Sequence, residues 1–110
     1  MTAAHCVNGR STSVLTVYAG IQQLSQRTTT GQSRNVSTIT VHPSYTSSAF
    51  INDVAVLTLQ SPFNKTTTVG LCCITSHTSL PAVGDHGVIV GWGFTVQGGP
   101  SLSDNLLPSY

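Results

Sequence analysis

Four short Val-, Ile- and Thr-rich segments, each stopped by Gly, Pro or a polar cluster, set the limits on what this chain can fold into. Ser13–Ala19 ends at Gly20, and Asn35–Val41 runs into Pro43. Val54–Leu59 is closed by Pro62, and Gly87–Trp92 is bounded by Gly at both ends of its apolar run. β-Branched residues lose rotamer freedom in a helical turn but pack well on a pleated surface. Short runs of this kind at turn-punctuated intervals read as antiparallel strands. Ser13–Ala19 alternates with period two. Asn35–Val41 places Val36 and Ile39 on mismatched faces. Val54–Leu59 is apolar on both faces, as a buried central strand would be.

Composition reinforces the all-β reading. Thirty of the 110 residues are Ser or Thr, there is no Glu, and only 6% of residues are charged. A typical domain carries about 25% charged residues, so hydroxyl groups make up the polar surface here. Ser and Thr compete for backbone hydrogen bonds and disfavour helix interiors. The expected fold class is therefore all-β with little helix. With four Lys and Arg and a net charge of +1, the chain has no electrostatic footprint for nucleic acid. No apolar run approaches the roughly 18 residues of a membrane span. A hydrophobic content of 39% can support a core.

The intervening segments read as loops: Gln22–Ser33, Pro43–Asn52, and Ser61–Val69 with its Thr66–Thr68 run. From Val96 to Tyr110 the chain is punctuated by Gly, Ser and Pro, with one apolar pair at Leu106–Leu107. Asn35-Val36-Ser37 and Asn64-Lys65-Thr66 both match the N-glycosylation acceptor pattern. In so hydroxyl-rich a chain such matches also arise by chance. No basic and apolar leader precedes Thr2, so the chain as given is expected to lack a signal peptide. Three cysteines leave at least one without a partner.

Two motifs carry chemistry. Thr2-Ala3-Ala4-His5-Cys6 resembles the catalytic-histidine motif of the chymotrypsin-like (trypsin-fold) serine endopeptidases, and Asn52-Asp53-Val54-Ala55-Val56-Leu57 resembles their catalytic-aspartate motif. His42-Pro43-Ser44-Tyr45 and Gly91-Trp92-Gly93 are similar to further recurrent segments of that family. The order matches, and His5 and Asp53 stand 48 residues apart. A lone His beside a Cys or a lone Asp before a strand is ordinarily structural. Together, at this spacing and with these flanks, they point to the family.

The resemblance implies part of a double antiparallel β-barrel. Residues 1–60 would form the later part of the first barrel, 61–76 the inter-barrel linker and 77–110 the opening strands of the second. It implies His5 as general base and then general acid, because imidazole titrates near neutral pH. Asp53 would fix the imidazole tautomer and stabilise the imidazolium. It also implies a secreted protein acting on protein or peptide substrates, with no cofactor and no metal. The family's nucleophile segment, Gly-Asp-Ser-Gly-Gly, does not occur in these 110 residues. Gly84-Asp85-His86-Gly87 precedes Gly91-Trp92-Gly93 and has His where Ser is required, so it reads as a turn. The chain itself is thus expected to be inactive and to be a portion of a longer product, since Met1 stands where the family usually has an apolar strand residue.

The resemblance also implies that the Cys after the catalytic His pairs with one upstream, leaving Cys6 unpartnered. Cys73 falls where the family often carries an interdomain or propeptide-linked Cys. Cys72 has no family counterpart, and Gly87 replaces a Cys common four residues before Gly-Trp-Gly. A disulfide between adjacent Cys72 and Cys73 would be strained, and Cys72, Cys73 and His77 lack an established metal-ligand spacing. His42 and His86 read as loop residues. Two rival readings remain: a non-catalytic protease homologue acting as a binding or regulatory module, and a self-sufficient all-β adhesion domain using His5 and Asp53 structurally.

Overall fold

The computed structural model describes all residues from Met1 to Tyr110. Five strands form two antiparallel sheets: β1 (Thr16–Ala19), β2 (Gln32–Val41) and β3 (Ala55–Leu59) in one, β4 (Ile89–Gly91) and β5 (Leu107–Ser109) in the other. One helical turn, α1 (Ala4–Val7), and two 3₁₀ turns at Thr12–Val14 and Leu24–Thr28 complete the regular structure. The all-β expectation holds, and neither sheet closes into a barrel. No helix is long and apolar enough to cross a membrane.

The chain divides into two compact units that are not contiguous in sequence. The first comprises Met1–Ala19 and Gln32–Asn64; the second comprises Gly20–Gly31 and Lys65–Tyr110. In the first unit the central strand is β2, paired with β1 from Thr16↔Asn35 to Ala19↔Gln32. On its other side it pairs with β3 from Val36↔Leu59 to Val41↔Ala55, with a register shift between Val36 and Thr38. That bulge accounts for the mismatched faces of Val36 and Ile39. Two residues of β2 pass for one of β3, so the inward set runs Gln32, Arg34, Val36 and then Ile39 and Val41. Ser37, the residue passed over, donates its hydroxyl to the Thr58 carbonyl at 3.0 Å.

Other boundaries differ from the sequence expectation for local reasons. The strand expected from Ser13 starts only at Thr16, because the Ser11 hydroxyl accepts the Ser13 N–H and draws Thr12–Val14 into a 3₁₀ turn. β2 begins at Gln32, inside the segment expected to be a loop. β3 is not a buried central strand: it lies at the sheet edge with Val56 exposed, and Thr2 bonds Ala55 in both directions at 2.8–2.9 Å. The core is small. Ala4, Val7 and Ala55 are buried together, with Leu15, Ile39, Val41, Tyr45 and Leu57 packed against them.

The second unit is held mainly by polar clasps. Leu24 donates its N–H to the Asp104 carbonyl, and the Asp104 carboxylate accepts from the Ser25 N–H and hydroxyl at 2.8 and 3.0 Å. The indole N–H of Trp92 and the backbone N–H of Leu106 converge on the Gln22 carbonyl. Gly20 has φ +74°, and a Cβ there would stand 3.0 Å from Val69 Cγ2, so glycine is required. β5 is absent from the sequence expectation. Pro108 breaks its alternation, which is tolerated because a two-stranded sheet is all edge.

Large apolar side chains stand in water, among them Leu71, Ile74, Val83, Ile89 and Val90. Two- and three-stranded sheets with so small a core are marginal alone. The isolated 110-residue chain is therefore expected to bind the dye ANS, to self-associate and to unfold without a sharp thermal transition. A monomer that melts cooperatively in calorimetry without ANS binding would contradict this and favour the self-sufficient domain.

Candidate active site

α1 begins without a cap of its own: its N-cap residue is Ala3, which has no side-chain oxygen to offer. Ala4 and Val7 are buried one turn apart and pin the helix, leaving His5 and Cys6 facing out. The missing cap comes from 48 residues away. Asp53 Oδ1 accepts the backbone N–H of His5 at 2.8 Å, which satisfies a free helix N-terminal donor and sets a negative charge where the helix dipole favours it. Asp53 Oδ2 meets Nδ1 of the same histidine at 2.6 Å. One carboxylate therefore grips both the main chain and the ring of His5.

Asp53 reaches that position through a staged loop between β2 and β3. The His42 N–H donates to the Val54 carbonyl at 3.0 Å, and Thr46 pairs with Ile51. His42 acts inside this loop, its Nδ1 accepting the Ser44 N–H. Phe50 and Asn52 both have positive φ, 51° and 55°. Asn tolerates that conformation better than other non-glycine residues, and its side-chain amide donates to the Ser44 carbonyl at 2.9 Å. Val54 then donates back to the Asn52 carbonyl at 2.8 Å, closing a tight turn with Asp53 at its apex. The Phe50 ring meets the imidazole edge-on, 5.6 Å between centroids at 88°.

Asp53 is held ionised below the usual carboxylate range. The side-chain hydrogen bond from His5 is the main cause, followed by the His5 backbone N–H; partial desolvation acts against both. An ionised carboxylate has no proton to give, so His5 carries its hydrogen on Nδ1 and, when neutral, its lone pair on Nε2. Nε2 lies 3.5 Å from the Cys6 thiol. Half of the His5 side chain is exposed against a fifth of that of Asp53, so the carboxylate is the more buried of the two.

The structure thus brings His5 and Asp53 together. It leaves Cys6, Cys72 and Cys73 as free, exposed thiols, and no three His, Cys, Asp or Glu side chains gather as a metal-binding group. Gly84 and Asp85 end a turn that begins at Ala82, with the Asp85 carboxylate accepting the Ala82 N–H and the Asp85 N–H donating to the Ala82 carbonyl. Sequence reasoning gave no role to Phe50 or to Asn52. The Asn-Asp pair ahead of an apolar strand is the signal for the second; nothing marks the first.

A folded-state pKa below the unfolded value of about 3.9 means that Asp53 stabilises its pairing fully above that pH, and that the stabilisation is lost as pH falls through the folded value. Carbon-detected NMR titration of the Asp53 carboxyl should show a midpoint below that of a model aspartate. In His5→Ala the midpoint should move up towards it. An unshifted midpoint in the wild-type chain would contradict the geometry.

The trypsin family model matches residues 1–109. The chain is 35% identical over 99 residues to trypsin alpha-4 of Lucilia cuprina, covering 90% of this chain and 37% of that protein. It is 31% identical over 106 residues to trypsin alpha of Drosophila melanogaster, covering 96% and 40%. To vitamin K-dependent protein C of Mus musculus it is 36% identical over 97 residues, covering 86% and 21%. The chain therefore spans between about a fifth and two fifths of the length of these curated relatives. With the family model matched along almost its whole length, this chain belongs to the trypsin family of serine proteases.

Proposed function

We propose that these 110 residues supply the acid–base half of a serine endopeptidase, in which His5 is the general base and Asp53 the group that orients it. The observation that carries this reading is the double grip of Asp53 on His5: 2.8 Å to the backbone N–H and 2.6 Å to Nδ1. A base positioned this way presents an unprotonated Nε2 to a hydroxyl. It takes the proton as the oxygen attacks a peptide carbonyl, then returns it to the leaving amine. The imidazolium formed between these steps faces the Asp53 carboxylate, so charge develops against a fixed opposite charge.

The nucleophile and oxyanion donors belong to a segment not contained in these residues. The 110-residue chain on its own therefore does not hydrolyse peptides. In the whole protein, residues 1–60 belong to the first barrel, 61–76 to the linker and 77–110 to the second barrel. Cys6 is assigned to a disulfide with an upstream Cys, and Cys73 to an interdomain or propeptide-linked one. The substrate is a protein or peptide and the setting extracellular, both by family. A non-catalytic homologue with the same His–Asp pair but no serine nucleophile is the competing reading.

The test uses a serine-directed fluorophosphonate probe. The purified 110-residue chain should remain unlabelled, while the full-length protein should be labelled at one serine in its folded state only. In the full-length protein His5→Ala should lower kcat/KM by about 10²–10⁴-fold, the contribution of a positioned general base. Fold-dependent labelling of the 110-residue chain would overturn its inactivity. A full-length protein that is unlabelled and does not turn over peptides would favour the non-catalytic homologue.

A further inference from the structure

The two acceptor motifs for N-linked glycan, which the proteolytic reading leaves unused, occupy different structural settings. Asn35 lies within β2. It is registered against Thr16 of β1, its carbonyl accepts the Gln60 N–H at 2.9 Å, and the hydroxyl of its motif residue Ser37 is donated to the Thr58 carbonyl across the bulge. The Asn35 side chain is itself exposed and has no hydrogen-bond partner, but its main chain is paired on both sides, so bending the motif out of its extended strand would break the pairing of the central strand. Asn64 lies outside any strand or helix and is exposed. Its main chain is fixed by one side chain: Gln32 Oε1 accepts the Asn64 N–H at 2.9 Å and Gln32 Nε2 donates to the Asn64 carbonyl at 2.9 Å. With both backbone groups satisfied by Gln32, the Asn64 carboxamide has no hydrogen-bond partner in the chain and stands in solvent.

We infer that Asn64 is an N-glycosylation site of this protein and that Asn35 stays unmodified. The reaction is transfer of an oligosaccharide from a lipid diphosphate donor. A bond forms between Asn64 Nδ2 and the anomeric carbon, the anomeric carbon–phosphate oxygen bond breaks, lipid diphosphate leaves, and the amide proton passes to the transferase. Thr66 completes the acceptor motif; its hydroxyl accepts the Thr68 and Val69 N–H groups at 3.2 and 3.1 Å, contacts within its own turn that involve no strand. The glycan would project from a loop whose backbone Gln32 already holds, costing no strand pairing. It would also cover part of a surface that has few charges to keep it soluble. This inference rests on the extracellular reading of the family, because the donor and transferase belong to the secretory route.

The experiment separates the two. The full-length protein and the 110-residue chain are each expressed in eukaryotic cells behind a heterologous secretory leader, and the endogenous protein is localised in parallel. Digestion with peptide N-glycosidase in ¹⁸O-water should convert Asn64 to labelled Asp in the leader-directed proteins. Asn64→Gln and Thr66→Ala should each abolish the glycan mass shift, the second while leaving the attachment residue in place, and Asn35→Gln should leave it unchanged. An unmodified Asn64 peptide from leader-directed protein overturns the site, and modification of Asn35 to the same extent overturns the selection. Glycan at Asn64 in the leader-directed protein, with the endogenous protein retained in the cytosol, supports the selection of Asn64 over Asn35 but overturns its use in this protein together with the extracellular reading.

Discussion

The first unit is organised around one carboxylate that does two jobs. Asp53 caps a helical turn that cannot cap itself and fixes the ring that the same turn carries. Removing the carboxylate would free the N-terminus of α1 and the orientation of the imidazole at once. Each job depends on the other. Held by its backbone, His5 can present its ring in only a few orientations, and the second carboxylate oxygen selects the one with Nδ1 inward. The hydrogen bonds that orient His5 also hold Asp53 ionised, which is what a partner for a developing imidazolium requires.

Much of the surrounding structure serves to deliver Asp53 to that point. β3 anchors the chain directly after Asp53, Thr2 ties the edge of β3 to the residues leading into α1, and the Pro43–Asn52 loop rises and returns through paired backbone groups. Asn52 takes the left-handed conformation the turn demands and clamps itself to Ser44. Ala55, buried among Ala4 and Val7, locks the strand to the helical turn just behind the pair. The second unit is built differently, from the Asp104 and Gln22 clasps around 20–25 and a two-stranded sheet with little apolar burial.

The all-β class was legible because Val, Ile, Thr and Ser crowd the chain and Gly and Pro interrupt it. The pairing of His5 with Asp53 was legible from their flanking residues, not from the two side chains alone. The bulge at Ser37 was visible only as an anomaly, the mismatched faces of Val36 and Ile39; it needed the register of β3 to become a structural feature. Exposure of Val56 could not be read from the apolar run, since periodicity does not distinguish a two-sided buried strand from an edge strand facing solvent. The 3₁₀ turn at Thr12–Val14 depended on a single Ser11 hydroxyl, and β5 on pairing across a break of residues with no alternation. Phe50 against His5 is a purely tertiary contact with no sequence signal.

The central claim is that Asp53 fixes the tautomer of His5. Long-range ¹H–¹⁵N correlation of the imidazole ring tests it directly on the neutral form. The expected result is a protonated Nδ1 with its proton shifted far downfield and an unprotonated Nε2, a pattern lost in Asp53→Ala. A ring protonated on Nε2, or one whose nitrogens average as in free histidine while the rest of the unit is folded, would contradict the account.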